Sequence, residues 1–216
     1  MKKKFAVVIA GCGVYDGAEI HETVLTLLAI DRNECTYTLF APDIPQAHVV
    51  NHLTGEPTGE KRNVLVESAR IARGVIFDLS LFDPADYDAL LFPGGFGVAK
   101  NFCSYAFEGT TCKVEPLIER AIREMHRAGK PIGVMCISPV LLTRVLKHVT
   151  TTIGNDSGTA GDLEALGGKH IVTSATEVIS DKQNKVFSTP CYMLDSRISE
   201  IAAGVENLIR SMLQSM

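Results

Sequence analysis

The chain of 216 residues contains no tryptophan, and aromatic residues make up only 6% of it. Base-stacking platforms, which are built from such rings, are therefore not expected. There is no basic excess either: 21 Lys and Arg stand against 25 Asp and Glu, a formal charge of −4. The electrostatic footprint of a nucleic-acid partner is missing with it. No apolar run approaches the roughly 20 residues of a membrane span, so no membrane partner is expected. Cysteine occurs six times, as Cys12, Cys35, Cys103, Cys112, Cys136 and Cys191, but never as C-x-x-C. Neither a zinc ribbon nor a thioredoxin-type centre is indicated. A chain of this length builds an ample core without disulfide staples. Reduced thiols in a cytoplasmic protein are the expectation.

What is present is a repeating order of short apolar runs and amphipathic segments. Lys2-Lys3-Lys4 followed by Phe5 to Ala10 imitates a lipoprotein leader ending in Ile9-Ala10-Gly11-Cys12. The run is shorter than the roughly 7 to 15 apolar residues of a signal peptide, and a buried first strand accounts for it. A helix follows with Ile20, Val24, Leu27 and Leu28 on one face. Further strands are expected at Cys35–Phe40, Val75–Leu79, Ala89–Phe92 and Ile132–Met135. Helices are expected at 63–73, 114–128, 138–147 and from Ile198 to Met212. Ile171–Ile179 and Val186–Thr189 flank Asp181-Lys182-Gln183-Asn184 and read as a small β-hairpin near the C-terminus. The polar stretch from Asp43 to Lys61 is too long for a minimal connection and is expected over the functional pocket. No linker or internal repeat divides the chain, which reads as one domain over 1–216. Alternating strands and helices imply a mostly parallel sheet covered on both faces, an open doubly wound α/β fold. In such folds chemistry lies beyond the carboxyl ends of the strands.

Three strand ends carry the candidates. The first, Gly11-Cys12-Gly13-Val14-Tyr15-Asp16-Gly17, is close to a dinucleotide fingerprint, but its third glycine falls one position late. The Gly-Lys-Ser/Thr of a phosphate loop is also missing, and phosphate binding is not expected. The second, Pro93-Gly94-Gly95-Phe96-Gly97, suits an oxyanion hole or equally an ordinary tight turn. The third runs Gly133-Val134-Met135-Cys136-Ile137-Ser138-Pro139. There a buried strand meets a cysteine and a helix begins directly after, as in a nucleophile elbow. A helix start favours a thiolate. Val134 and Ser138 depart from the glycines usual at such an elbow, although Ser138 is small. His48 and His52 are four apart but lack a third ligand, and no metal is expected.

Taken together these residues resemble the ThiJ/PfpI superfamily, which includes the parkinsonism-associated deglycase and lies close to class I glutamine amidotransferase domains. The matching pieces are the helix-one acid within Ala18-Glu19-Ile20-His21-Glu22-Thr23-Val24, Pro93-Gly94-Gly95, and Cys136-Ile137-Ser138-Pro139. Within it the chain is similar to the ElbB, or enhancing-lycopene-biosynthesis, group. That likeness rests on Gly11–Gly17, on Asn51-His52-Leu53-Thr54-Gly55-Glu56, and on Pro93–Asn101. It rests further on Thr152-Ile153-Gly154 and Thr189-Pro190-Cys191-Tyr192-Met193-Leu194, and it runs nearly end to end. The resemblance implies a flavodoxin-like three-layer α/β/α sandwich, Cys136 as nucleophile and Glu22 as its proton-carrying partner. It implies oxyanion donors at Gly95 and Ile137, and Gly94, Cys12, Glu19, His52 and Ser138 as pocket candidates. It also implies a homodimer and glyoxalase chemistry on a small aldehyde, glyoxal first, without any cofactor. The alternative is a non-enzymatic redox-sensing or accessory protein of isoprenoid metabolism that uses an oxidisable Cys136. The third residue of the family pattern, a histidine, is absent: the matching stretches read Thr152–Asp156 and Thr189-Pro190-Cys191. A glutaminase needs that base, so ammonia transfer from glutamine is not expected. Helix neighbours point about 100° apart, so His21 is not expected to face Cys136 if Glu22 does.

Overall fold

The apolar run after the first lysines places alternate side chains on two buried faces. In the computed structural model, which describes residues 2–216, nine strands form: β1 (Lys4–Val8), β2 (Thr36–Ala41), β3 (Phe77–Asp78), β4 (Ala89–Phe92), β5 (Ile132–Met135), β6 (Thr150–Thr151), β7 (Lys169–His170), β8 (Ile179–Asp181) and β9 (Val186–Thr189). The helices are α1 (Ile20–Arg32), α2 (Val64–Ile71), α3 (Tyr105–Glu108), α4 (Pro116–Arg127), α5 (Pro139–Leu146), α6 (Ser157–Ala165) and α7 (Ile198–Leu213). From β1, Ala6 and Val8 enter one core layer and Phe5 and Val7 the other. Leu90 and Phe92 of β4 are likewise opposed to Ala89 and Leu91. A two-residue period with both sets apolar is the mark of a strand covered on both sides. Ile118, Ile122 and Met125 of α4 and Leu141 and Val145 of α5 close the first layer. Ile30 of α1 and Val205, Leu208 and Met212 of α7 close the second.

The main sheet runs β3-β2-β1-β4-β5-β9-β8. All its pairs are parallel except β8 on β9, which forms the expected hairpin. The fold is thus the expected flavodoxin-like α/β/α arrangement. β1 lies between β2 and β4, so chain connections leave it in opposite directions. That topological switch opens a crevice at the carboxyl ends of β1 and β4.

Several elements differ from the sequence reading. β3 is only Phe77–Asp78, and a short 3₁₀ turn, Leu79–Leu81, follows at once. The hairpin's first strand is Ile179–Asp181, because Asp181 turns back to receive Asn184 N at 3.1 Å and the amide of the same side chain at 2.8 Å. A small parallel pair, β6 with β7, lies outside the main sheet. The largest difference is the phase of α1. Of the expected apolar face, Leu27 packs half-buried against the second layer, but Ile20, Val24 and Leu28 are exposed, at 41%, 48% and 38%. The buried face carries Glu22, Thr23, Thr26, Ala29 and Ile30. Thr23 and Thr26 can be buried there because their hydroxyls donate to Glu19 O and Glu22 O one turn back, both at 2.7 Å.

The turn after β1 and the turn after β4 touch backbone to backbone. Gly97 N donates to Gly17 O at 2.8 Å and Phe96 N to Val14 O at 2.8 Å. A Cβ on Gly97 would meet Gly17 Cα at 2.5 Å and Ala10 O at 2.7 Å. The glycines of the first turn therefore serve close approach between two loops. Because those contacts are backbone, no side chain can swing away to make room. Gly97→Ala is expected to lower stability by about 3 kcal/mol, near the top of the range for overpacking. Urea unfolding measures it, and an unchanged midpoint would contradict the close packing.

Candidate active site

The crevice is built from three consecutive strand ends. After β5 the chain reaches Cys136 with φ +57°, a left-handed conformation that L residues rarely hold. Such strain persists where the surroundings over-determine it, as at an elbow. Cys136 N donates to Thr189 O at 3.2 Å, which ties the elbow to the end of β9. Ser138 anchors its other side: its buried hydroxyl donates to Pro93 O at 2.8 Å. After β4, Gly94 lies against the thiol, and a Cβ there would come within 2.5 Å of Glu22 Oε2. Gly95 takes φ +104°. Its N–H and that of Ile137 lie near enough to the Cys136 sulfur to favour its ionised form.

Glu22 faces the same sulfur from the first turn of α1 and is fully buried. Gly94 N donates to its Oε2 at 2.9 Å and Tyr192 N to its Oε1 at 3.2 Å. Burial first, and the Glu19 charge second, push its carboxyl from the ordinary 4.5 up to about 8, against those two N–H groups and the thiol. Glu22 therefore carries its proton at neutral pH. Burial and the facing carboxyl push the Cys136 thiol up, while the N–H groups of Gly95 and Ile137 pull it down. Two ionised groups cannot share this spot. Glu19 caps α1, its Oε2 receiving Glu22 N at 2.6 Å, and is 8% exposed.

A cavity of about 410 Å³ opens at the sulfur. Cys136, Ile137, Gly95 and Glu19 line it, together with Tyr105, Asp156 and Tyr192, which sequence reasoning did not single out. Tyr192 had a signal of its own in the Thr189–Leu194 stretch, but its N–H reaches Glu22 across 170 positions, which no local pattern reveals. No histidine is among the lining side chains. His21 is exposed and its Nδ1 pairs with Tyr192 Oη at 3.0 Å.

Four expectations need correction. His52 does not line the cavity: its Nε2 receives Tyr15 N at 3.3 Å, its ring packs on Tyr15, and it lies 3.9 Å from the Asp16 carboxylate. Cys12 does not line it either; burial first, and the charges of Glu67 and Asp16 after it, push its thiol up. Ser138 is committed to Pro93 O, fully buried and away from the cavity. The long segment over 43–61 contributes no lining residue. It instead clasps the first turn, with Val50 N on Asp16 Oδ2 at 2.7 Å, and pairs with itself at Val50 and Pro57.

Comparison with known proteins places this geometry. No protein-family model matches the chain. A Homo sapiens protein named glutamine amidotransferase-like class 1 domain-containing protein 3, mitochondrial, is 46% identical over 221 residues, 98% of this chain and 82% of that protein. The chain belongs to this glutamine amidotransferase-like class 1, or ES1, family. The ES1 protein homolog of Rattus norvegicus, also named mitochondrial, is 44% identical over 99% of this chain and 84% of its own length. Among solved structures, an isoprenoid biosynthesis protein with an amidotransferase-like domain from Ehrlichia chaffeensis superposes with a TM-score of 0.93. It is 38% identical and covers 99% of this chain and 100% of its own. A DJ-1 superfamily protein of Salmonella typhimurium matches at TM-score 0.60 and 20% identity, over 98% of this chain and 91% of its own, and shares the fold. Among the described residues, no helix is long and apolar enough to cross a membrane.

The Glu22 proton also sets a stability slope. The unfolded carboxyl ionises near 4.5 and the folded one near 8. Between those values the folded state holds the extra proton, so stability falls as pH rises and levels off above about 8. Glu22→Gln removes this slope. Urea midpoints from pH 5 to 9 are expected to decline in wild type relative to Glu22→Gln, and parallel curves would contradict the protonated carboxyl.

Proposed function

We propose that the protein is a cofactor-independent, glyoxalase-type enzyme that converts small 2-oxoaldehydes to 2-hydroxy acids, glyoxal to glycolate first. The observation that carries this reading is a proton-bearing Glu22 set against the Cys136 thiol, beside a small cavity with no histidine lining it. The Cys136 sulfur adds to the aldehyde carbon. The thiol proton passes to one oxygen of Glu22 while the other gives its proton to the carbonyl oxygen. The N–H groups of Gly95 and Ile137 steady the charge developing there. The product is a hemithioacetal. Glu22, carrying the former thiol proton, gives it to the neighbouring carbonyl oxygen as its other oxygen takes the proton from the carbon bonded to sulfur, giving an enediol. Glu22 then gives a proton to the adjacent carbon while the hydroxyl on the sulfur-bearing carbon returns its own to the other Glu22 oxygen, yielding a thioester, which water cleaves to the acid and the free thiol. One carbon is oxidised and its neighbour reduced, so the step balances without an external electron carrier.

The family name refers to glutamine, but ammonia transfer is not part of this proposal. Thr189-Pro190-Cys191 occupies the stretch where that chemistry needs a histidine. A homodimer without nucleic-acid or membrane partners belongs to the same reading. So does a reducing compartment, the cytoplasm, on the strength of six free thiols. The same N–H groups and Glu22 proton also suit the oxygens of a Cys136 sulfinate, which favours redox sensing as the second reading.

Purified protein is expected to consume glyoxal without glutathione or added metal. Glu22→Gln is expected to lower kcat by about 10²- to 10⁴-fold, the usual worth of a positioned proton carrier, while circular dichroism stays native. Wild type no faster than Cys136→Ala would sink the enzyme reading. Selective peroxide oxidation of Cys136 without glyoxal turnover, read by mass spectrometry, would favour the sensor.

A further inference from the structure

The Cys136 cavity is charged in one sense. Glu19 and Asp156 line it, and no Lys, Arg or His does. Glu19 is nearly buried and held at the start of α1 by the Glu22 N–H. The helix N-terminus favours a negative charge there. Asp156 caps α6, its Oδ1 receiving Thr159 N at 2.7 Å, and those contacts hold its carboxyl below the usual range. A third carboxylate, Asp162, stands behind Tyr105 and takes its hydroxyl hydrogen at 2.5 Å. That hydroxyl has no proton left to offer an anion. Lys100, next to the lining Ala99, is outside the lining: its ammonium donates one hydrogen to Tyr15 O at 2.7 Å and lies 5.5 Å from the centre of the Phe96 ring. The positive end of the site is main chain alone: two N–H groups at the sulfur and the start of α5. They accommodate the single negative charge of the reacting atoms and nothing beyond it.

We infer that Glu19, together with Asp156, is the specificity-determining charge of this pocket, admitting uncharged and cationic electrophiles and rejecting those that carry a carboxylate or phosphate. The inference rests on Cys136 being the reacting thiol, whichever carbonyl compound it meets in the cell. It places free glutamine, 2-oxo acids and sugar phosphates outside the substrate range, since each brings an anion to a lining that carries two carboxylates and no cation. Small neutral 2-oxoaldehydes meet no such barrier.

Two methanethiosulfonates of similar size test it, one bearing a trimethylammonium group and one a sulfonate. Each transfers its alkylthio group to the thiolate and releases methanesulfinate, so only reagent charge differs. Rates at Cys136 are read by peptide mass spectrometry. Cys35, half buried at the opposite end of the sheet, is the reference in the same sample. The cation-to-anion ratio at Cys136 is expected to exceed that at Cys35 by roughly tenfold or more, the scale of one fixed charge a few ångströms away at a partly buried site. In Glu19→Gln, which keeps an acceptor for Glu22 N, the ratio is expected to fall toward the Cys35 value. Asp156→Asn, an exposed change, is expected to lower it in part. Because both reagents attack the same thiol, the ratio cancels any change in thiol acidity caused through Glu22. A wild-type ratio equal to that of Cys35, or one that neither substitution moves, would overturn the inference. An intact ratio without glyoxal turnover would remove the substrate reading and leave the charge selection standing.

Discussion

The contact between the Glu22 carboxyl and the Cys136 thiol constrains the rest of this structure. A buried acid without partners costs several kcal/mol. Here two N–H groups, from Gly94 and Tyr192, meet its two oxygens, and a thiol meets its edge. Those partners come from the ends of β4, β9 and β5, so the acid stays buried only if three strand ends converge. Gly94 has no side chain because one would strike both members of the pair. Cys136 holds a left-handed backbone because the elbow must aim its sulfur at α1 while its N–H reaches back to Thr189.

The same contact explains why α1 turns an apolar stripe to solvent. Ile20, Val24 and Leu28 share one face, and Glu22 lies about 200° round from Ile20. Burying Glu22 against the elbow swings that stripe outward. Thr23, Thr26 and Ala29 pack in its place, small enough for close approach and with their hydroxyls satisfied inside the helix. Hydrophobic periodicity alone reads the helix correctly but places most of its apolar stripe on the wrong side, since a buried acid competes with that stripe for the interior.

This marks where sequence reasoning reaches and where it stops. The sheet strands were legible because β1, β4 and β5 are buried on both sides and therefore apolar without interruption. The elbow was legible because a cysteine set between a buried strand and a proline-started helix falls at the carboxyl end of the sheet, where such folds place their chemistry. Pocket membership was not, because it depends on long-range placement. His52 and Cys12 sit in distinctive motifs, yet those motifs build the clasp between the 43–61 segment and the first turn. Tyr105 and Thr159 lie in segments with no chemical pattern, Asp156 stands at the end of a stretch noted only for lacking a histidine, and the three share a cavity with the sulfur only in three dimensions.

Membership of the glutamine amidotransferase-like family describes the scaffold better than the reaction, because chemistry belongs to the site grafted on a fold. An amidotransferase site must activate its cysteine with a base and must hold an amino acid with a carboxylate. This cavity offers a thiol whose neighbour is an acid, and walls whose charges are negative. In the proposed reaction the first feature makes attack depend on a proton passing through Glu22 rather than on a standing thiolate. The second leaves the main-chain N–H groups at the elbow as the place where negative charge is welcome, and in the proposed addition those groups face the oxygen on which charge develops. A site that concentrates its attraction for charge at the reacting oxygen, and refuses it elsewhere, binds the transition state of a neutral carbonyl better than its ground state.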